Sequence, residues 1–388
     1  MSARAPTAIP PPPPPGRRRL LVVSHSAVVN VNQHLYRELI SRGWDLTLVV
    51  PSRWRHEYAS RPVRPQILPG MESALRPTPI VFPGSRQRHL YLARCSTLLR
   101  QAAARVAFVD AEPFSLPAAQ WCGACVRLGV PFGVQCAENI DRSLPFPVRR
   151  SRARVLRYAA FVAARSAGAA HLARAWGATG EVGLLPFPLP PWESVPASAP
   201  LARPFTVGFA GRLVQSKGLD TLLAAVRLLE PPVELLLLGD GPLRSDLEGA
   251  SIPGGRVRVL PGLRHDDMPA AYGRLDVLAL PSRSTPTWKE QFGRVLTEAL
   301  SCGVPVVGSD SGEIPNLIAL TGGGLVFAEG DPRELSARLA SLRADPEKRR
   351  RLADVGRSAV LRLFSVAVVA DELERLLLGA LARTSGGS

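Results

Sequence analysis

Lysine is almost absent from a sequence that is otherwise strongly basic. Among 48 lysines and arginines in 388 residues, only Lys217, Lys289 and Lys348 are lysine, and the formal net charge is +16. An arginine bias of this kind often reflects genomic base composition, so the charge alone says little about a partner. The exceptions are more informative, because two of the three lysines fall within motifs described below.

Cysteine is also scarce, with five residues in the chain. Cys122 and Cys125 form a C-x-x-C pair, but no second pair lies at zinc-ligand spacing. We interpret them as two small residues on one face of a helix. Neither a structural zinc site nor a disulfide framework is predicted, as is usual in a reducing cytoplasm.

Several other signals are missing. No run of 18 or more uncharged apolar residues occurs, so no membrane-spanning helix is predicted. The loop after the apolar run at 20–23 lacks G-x-G-x-x-G, which argues against a dinucleotide dehydrogenase. There is no nucleic-acid-binding motif, no Asp-x-Asp and no histidine-rich cluster. The first residues lack a signal peptide's apolar segment and continue into Pro10–Pro15, so a disordered tail is expected.

Apolar runs alternate with helical patterns in both halves of the chain, which predicts an α/β fold of two doubly wound parallel-sheet domains. We expect these Rossmann-like domains to face a central cleft, with ligand at the carboxyl ends of the strands. The predicted organisation is a Pro-rich tail at 1–16, a first domain at 17–187, a Pro-rich linker at 188–204, a second domain at 205–365, and a helix at 366–388 crossing back to the first domain.

The elements follow from the same patterns. Strands are predicted at 20–23, 45–50, 106–109, 131–136, 182–185, 205–209, 233–238, 256–260, 276–280, 304–308 and 324–327. Helices are predicted at 30–41, 89–103, 115–129, 148–167, 217–230, 266–274, 292–302, 331–343, 346–363 and 366–382.

A glycine-rich motif follows the strand at 205–209. Gly211 lets the backbone approach a ligand, and Arg212 and Lys217 place two cations beside backbone N–H groups. Such an arrangement suits a diphosphate. A strand–turn–helix with solvated charges explains the pattern equally well, and under either interpretation Lys217 is expected to be exposed at a helix start.

Two further glycine motifs follow buried strands. In the segment 238–243, Asp240 either caps the following helix or lies near the ligand, beside Gly241. The segment Gly303–Gly308, followed by the loop Gly312–Pro315, is explained either by packing or by a second loop at the same edge of the sheet.

The most specific motif runs from Pro281 to Leu300. Glu290 precedes a helix whose predicted N-terminus, near Phe292, favours an anion through its unpaired N–H groups and dipole. Glu298 follows a little over two helical turns later. Carboxylates accept hydrogen bonds from hydroxyl groups, so one can contact a sugar and the other a ribose.

Together these motifs resemble glycosyltransferase family 4, the glycosyl transferases group 1 with the GT-B fold. The resemblance is dense over 205–330 and looser in the first half. It implies that Arg212 and Lys217 hold the donor diphosphate, that Glu290 contacts the donor sugar, and that Glu298 contacts the ribose. These implied roles make Glu290, Arg212 and Lys217 the catalytic candidates. The full donor-binding set is Gly211, Arg212, Lys217, Asp240, Gly241, Glu290, Phe292, Gly293, Arg294, Val295 and Glu298.

The resemblance also implies an activity. It is that of a retaining hexosyltransferase (EC 2.4) with a UDP- or GDP-sugar as co-substrate and neither a cofactor nor a metal. The acceptor would be a glycan or a lipid-linked molecule of cell-envelope, exopolysaccharide or glycolipid biosynthesis. Many relatives carry a histidine in a loop of the first, acceptor-side domain. Here that side offers His25, Glu112, Glu138 and Asn139, and the assignment of a base stays open.

Two alternatives are weighed against this activity. A sugar-nucleotide epimerase shares the fold, but the Glu290 and Glu298 spacing fits the transferases better. A non-enzymatic binder of anionic surfaces is motivated by the net charge. We also expect a cytoplasmic protein with a peripheral contact at the inner face of the membrane. That contact rests on five arginines between 149 and 157, before the apolar run Tyr158–Ala164, although a solvated helix face explains them equally well.

Overall fold

The computed structural model describes residues 18–55, 62–192 and 203–385. These divide into two compact units. The first consists of Met1–Glu138, Ser143–Leu185 and Ala367–Ser388, and the second of Asn139–Arg142 and Pro186–Val366. The predicted tail at 1–16 and residues 193–202 of the predicted linker lie outside the described residues.

The first unit is built on a parallel sheet. Its strands are β1 (Arg19–Ser24), β2 (Asp45–Pro51), β3 (Leu75–Thr78), β4 (Ile80–Val81), β5 (Leu90–Tyr91), β6 (Val106–Asp110), β7 (Phe132–Cys136), β8 (Phe161–Ala164) and β9 (Glu181–Leu184). Seven of them pair in the order β3-β2-β1-β6-β7-β8-β9, and β4 and β5 form a separate antiparallel pair. Its first helices are α1 (His34–Ser41), α2 (Cys95–Gln101), α3 (Leu116–Leu128), α4 (Phe146–Tyr158) and α5 (Ala167–Ala175).

The second unit contains a six-stranded parallel sheet. Its strands are β10 (Phe205–Ala210), β11 (Val233–Leu238), β12 (Arg256–Leu260), β13 (Val277–Leu280), β14 (Val306–Ser309) and β15 (Gly324–Phe327). They pair in the order β12-β11-β10-β13-β14-β15. The helices are α6 (Leu219–Arg227), α7 (Arg244–Glu248), α8 (Met268–Tyr272), α9 (Arg294–Ser301), α10 (Ile314–Thr321), α11 (Pro332–Ala344) and α12 (Pro346–Phe364). A last helix, α13 (Val366–Ser385), belongs to the first unit from residue 367 onward.

Period-two alternation places each strand residue of the first unit on one of two cores. On β1, Leu20 and Val22 join a cluster that includes Leu373 of α13. Leu21 and Val23 join the cluster on the opposite face, with helices α2, α3 and α5. Because both faces of the sheet are covered, its central strands β1, β2, β6 and β7 are largely apolar runs, which explains why these four were recognisable in the sequence.

Two helix predictions need correction. The predicted helix at 148–167 ends at Tyr158, and Phe161–Ala164 forms the fully buried strand β8. A short apolar run fits a buried strand or a buried helix equally well, so periodicity did not distinguish them. The predicted helix at 89–103 begins only at Cys95, because Leu90–Tyr91 pairs as β5.

Candidate functional site

The loop after β10 packs tightly against the chain that follows β13. Lys217 ends a short 3-10 helix, and Gly218 then takes a left-handed conformation with φ of 67°. A Cβ atom on Gly218 would lie 1.9 Å from the carbonyl oxygen of Pro281. Only glycine fits this position, so the close approach of these two loops depends on Gly218.

Lys217 and Glu290 form a largely buried ion pair at this junction. Lys217 Nζ lies 2.5 Å from Glu290 Oε2, and the two side chains are 12% and 11% exposed. Ser282 Oγ donates a second hydrogen bond to the same carboxylate oxygen, at 2.8 Å. The expectation that Lys217 would be exposed is therefore wrong. The helix α6 begins after Gly218, as predicted, but the lysine side chain turns toward β13.

The backbone of Glu290 is fixed as firmly as its side chain. Its carbonyl oxygen accepts hydrogen bonds from Asn139 Nδ2 at 2.8 Å and from the Glu313 N–H at 3.0 Å. Gly312 has φ of 57°, and a Cβ there would lie 2.1 Å from that carbonyl oxygen. The Gly312–Pro315 loop thus supports Glu290 through its backbone. The sequence alone left open whether this loop serves packing or is a second loop at the same edge of the sheet.

Glu298 is held from two sides within the second unit. Tyr272 donates its hydroxyl to Glu298 Oε2 at 2.9 Å, and Arg294 Nε lies 2.9 Å from Glu298 Oε1. Burial raises the pKa of Glu298, while the Arg294 charge and the Tyr272 hydrogen bond act to lower it. A carboxylate has about four acceptor positions, so these two donors leave capacity for a hydroxyl ligand.

The other predicted donor-side residues differ in what their side chains do. Arg212 is half-buried in the loop after Gly211. Asp240 is exposed, accepts a hydrogen bond from the Gly241 N–H at 2.8 Å and lies 3.7 Å from Arg244. The interpretation that Asp240 caps the following helix is wrong. A turn lies between them, and α7 begins at Arg244 after Leu243, without a side-chain cap.

Helix α9 begins slightly later than predicted. Phe292 is buried and packs against Phe187 and Phe364, so its side chain is part of the core of the second unit. Gly293 is the N-cap, with φ of 80°, and the helix starts at Arg294. Val295 is partly buried against the same core.

In the first unit, His25 follows β1 and lies among aromatic rings. Its ring centroid is 5.1 Å from that of Trp54 and 5.6 Å from that of His89. Burial lowers the pKa of His25 to about 4, although the nearby Asp110 carboxylate opposes this. The imidazole is therefore neutral at pH 7.

Glu112 and Glu138 follow β6 and β7 in the first unit. Glu112 Oε1 accepts a hydrogen bond from the Ala137 N–H at 2.9 Å. Burial raises the pKa of Glu112 to about 8, and the charge of Glu138 adds to the effect. Glu138 is 3% exposed. Glu112 is thus mostly protonated at pH 7 and can donate as well as accept a hydrogen bond.

Sequence reasoning missed the group that holds the loop after β1. Asp110, at the end of β6, accepts hydrogen bonds from Ser24 Oγ at 2.7 Å and Tyr36 Oη at 3.3 Å. Arg165 Nη2 pairs with it at 2.7 Å, and both side chains are about 95% buried. Burial alone would raise the pKa of Asp110, but Arg165 and the hydrogen bonds lower it. The signal available in the sequence was an acidic residue at the end of an apolar strand.

The part of the chain that the structure describes contains no group of three or more histidine, cysteine, aspartate or glutamate side chains placed to hold a metal ion. The five cysteines are free and buried.

The architecture defines a glycosyltransferase fold of the GT-B class. HepE from Anabaena, determined in complex with UDP, matches with a TM-score of 0.71 and 17% identity, over 93% of this chain and 99% of its own. Sucrose-phosphate synthase from Thermosynechococcus elongatus matches with a TM-score of 0.69 and 17% identity, over 95% of this chain and 100% of its own. The predicted fold class is confirmed.

Residues 193–359 match the model of the family Glycosyl transferases group 1. A GDP-mannose-dependent monoacylated alpha-(1-6)-phosphatidylinositol monomannoside mannosyltransferase from Corynebacterium glutamicum is 33% identical over 43% of this chain and 45% of its own length. A D-inositol 3-phosphate glycosyltransferase from Segniliparus rotundus is 35% identical over 43% and 38%. The match thus spans less than half the length of these relatives. The family recognised from the motifs is confirmed.

Proposed function

We propose that this chain is a retaining glycosyltransferase that moves a hexose from a nucleotide-sugar donor to a hydroxyl acceptor. The observation that carries the proposal is the Lys217–Glu290–Ser282 cluster of the second unit. It lies where the loops after β10 and β13 meet, at the carboxyl ends of parallel strands. Open α/β sheets bind their ligands at this edge.

Each group has a chemical task in such a transfer. As the sugar leaves, negative charge builds on the diphosphate, and the Lys217 ammonium and Arg212 guanidinium stabilise it. The N-terminus of α9 adds backbone N–H groups and a favourable dipole. Glu290 would accept hydrogen bonds from sugar hydroxyls, and Glu298 from the ribose.

We infer retention of anomeric configuration without a covalent intermediate. A double displacement would require a carboxylate directly beneath the anomeric carbon, whereas Glu290 is held by Lys217 and Ser282. NMR of the earliest product from an α-linked donor should show an α-linkage. An initial β-linked product would contradict the inference.

We also propose that turnover requires neither a metal nor a cofactor. In this scheme Lys217, Arg212 and the α9 terminus supply the charge neutralisation that a divalent cation supplies elsewhere. Turnover should persist after dialysis against EDTA. Complete loss that Mg²⁺ or Mn²⁺ restores would exclude this arrangement.

The relatives support a class of donor and acceptor. One matching structure holds UDP-glucose, and one curated relative is named for GDP-mannose and a phosphatidylinositol mannoside. We propose a UDP- or GDP-sugar donor, a glycan or lipid-linked acceptor in cell-envelope or glycolipid biosynthesis, and action at the cytoplasmic face of the membrane. No helix among the described residues has both the length and the apolar character needed to cross a membrane.

A donor screen tests the proposed function. UDP-, GDP- and ADP-sugars are added to the protein, and thermal stabilisation and slow donor hydrolysis are measured. At least one donor should give both signals in the wild type and in Lys348→Ala, whereas Lys217→Ala should show weaker stabilisation and little donor hydrolysis. Lys348 is the matched control because it lies on α12, where its backbone N–H meets the capping Asp345. Conversion of a UDP-sugar to its epimer without acceptor would favour the epimerase.

A further inference from the structure

Trp288 lies in a short turn just before Glu290. The Thr285 N–H donates to the Trp288 carbonyl at 2.7 Å, and the Trp288 N–H donates back to Thr285 at 3.3 Å. Pro286 and Thr287 form the tip of this turn. With Glu290 fixed two residues later, both ends of the segment are held, so the backbone that carries the indole is held in place.

The Trp288 ring covers the ammonium of Lys217. Lys217 Nζ lies 4.9 Å from the ring centroid, within the range of a cation–π interaction. The same nitrogen pairs with Glu290. The ammonium therefore lies between a carboxylate and an aromatic face. An ammonium has three N–H donors, and an aromatic face attracts the charge without acting as a strong hydrogen-bond acceptor.

This geometry matters because lysine has a flexible stem. Without the ring, the Glu290 carboxylate would be the one remaining partner of the Lys217 ammonium in the described structure. The lysine side chain would then have more rotamers available. A catalytic cation needs a fixed position, because misplacement by an ångström lowers the rate sharply.

We propose that Trp288 is a positioning residue that fixes Lys217 for contact with the donor diphosphate. This inference rests on the proposed function, because Lys217 has this task only if a nucleotide sugar binds. Trp288 acts through Lys217, by the face of its ring, and any aromatic ring at this position should retain most of the effect.

The test is a series at position 288 measured by calorimetric titration with UDP and GDP, which both carry the diphosphate. Trp288→Leu removes the aromatic face but keeps an apolar side chain, and should weaken the tighter nucleotide about tenfold. Trp288→Phe should stay within about threefold of wild type. Thr287→Ala is the matched control, because Thr287 is exposed on the same turn and should bind as wild type does.

A double-mutant cycle separates positioning from a general structural role. If Trp288 acts through Lys217, Trp288→Leu should cost nothing further in a Lys217→Ala background. With an active donor, kcat should fall more than the donor KM rises. Thermal melts check folding, and should the leucine variant unfold, Trp288→Met provides a more adaptable side chain without a ring.

The outcomes are distinguishable. Wild-type affinity in Trp288→Leu, with weakened binding in Lys217→Ala, would overturn the positioning role and leave the proposed function intact. Equal losses in the leucine and phenylalanine variants would also overturn it. Failure of wild type to bind either nucleotide, or unchanged binding in Lys217→Ala, would overturn the donor site and this inference together.

Discussion

Lys217 and Glu290, at the carboxyl edge of the second sheet, are held in a different state from Glu112 and His25, at the carboxyl edge of the first sheet. In the second unit, Lys217 and Glu290 face each other as a charged pair. In the first unit, burial moves the pKa of Glu112 up to about 8 and that of His25 down to about 4, so both are mostly neutral at pH 7. The Lys217 ammonium therefore offers a charge suited to a diphosphate, whereas Glu112 and His25 offer neutral hydrogen-bonding groups suited to a hydroxyl acceptor.

Depth of burial does not explain this difference. Asp110 in the first unit is as buried as any of these groups, yet its pKa is lowered. It has Arg165 at 2.7 Å, whereas Glu112 accepts its closest hydrogen bond from a backbone N–H. A cation within hydrogen-bond distance keeps a buried carboxylate ionised, and without one desolvation dominates.

The largest effect is expected from breaking the buried pair of the first unit. Asp110→Ala leaves the Arg165 guanidinium buried without its carboxylate and removes the acceptor of Ser24 and Tyr36. The free energy of unfolding should fall by about 3–5 kcal/mol. Urea denaturation measures this, with Ser26→Ala as the control that removes the contacts of Ser26 Oγ to Asp110 at 3.1 Å and to Ser24 Oγ at 2.9 Å. A loss below about 1 kcal/mol would contradict the view that this pair organises the first unit.

The second prediction concerns the charged pair of the second unit. Lys217→Ala should lower kcat by roughly 10²-fold or more, because a preorganised charge acts more strongly on the transition state than on bound donor. The donor KM should change less. Lys217→Arg should recover part of the rate, since a planar fork does not reproduce the ammonium geometry. Steady-state kinetics of both variants provides the measurement.

The burial of this pair requires a stability control. Lys217→Ala leaves the Glu290 carboxylate largely buried and unpaired, so a lower melting temperature is expected. The double variant Lys217→Ala/Glu290→Gln removes that charge and should regain stability without regaining rate. Near-native kcat in Lys217→Ala would remove the diphosphate assignment.

The third prediction concerns pH and the neutral edge. Between its ordinary value of 4.5 and about 8, Glu112 holds a proton in the folded chain that the unfolded chain releases. Its contribution to stability is therefore present below pH 4.5 and is lost as pH rises toward 8. Glu112→Gln mimics the neutral acid and should flatten this part of the profile, with a gain of about 1–3 kcal/mol over wild type at pH 8.5.

Chemical denaturation at pH 6, 7, 8 and 8.5 tests this third prediction. The gain over wild type should grow steadily across the series. A difference that is constant with pH would show that Glu112 is ionised throughout the range, and the contrast between the two edges would then fail.

The sequence predicted the second unit well because its strands are buried on both faces and its loops need glycine. Gly218 and Gly312 each pass within contact of another loop's backbone, so the motif residues are fixed by geometry that only glycine permits. The burial of Lys217 was not predictable, because nothing local shows that its side chain meets Glu290, 73 residues away.

The first unit was less predictable for two physical reasons. The run at 161–164 is apolar throughout, so its pattern has no period that separates strand from helix. The pairing of Asp110 with Arg165 joins residues 55 positions apart at neighbouring strand ends, and composition carries no trace of that contact. The aromatic environment of His25 likewise comes from Trp54 and His89, which are distant in sequence.

The smallest effect is expected on membrane attachment. The structure changes the set of residues on which this predicted attachment rests. The apolar run 158–164 is largely unavailable, because β8 is buried in the sheet. The basic helix α4 remains. Arg150 and Arg154 of α4 line a groove of about 360 Å³ together with Arg127 of α3.

The surroundings of this groove favour an anionic surface. Phe146 and Tyr158, at the two ends of α4, are 63% and 50% exposed. Four arginines of α4 are exposed, namely Arg149, Arg150, Arg154 and Arg157. A surface with exposed aromatic rings and exposed arginines suits anionic lipid headgroups.

We predict that Arg150→Ala/Arg154→Ala weakens co-sedimentation with phosphatidylglycerol-containing vesicles. Each arginine near such a surface contributes about 1 kcal/mol, so the double variant should lose roughly 30-fold in partition at low salt, with less difference as salt screens the charge. Arg100→Ala/Arg105→Ala removes the same charge from exposed positions elsewhere in the first unit. If both pairs lose equally, the attraction belongs to the net charge of the chain. Wild-type protein that stays in the supernatant at low salt would leave the α4 arginines as a solvated helix face.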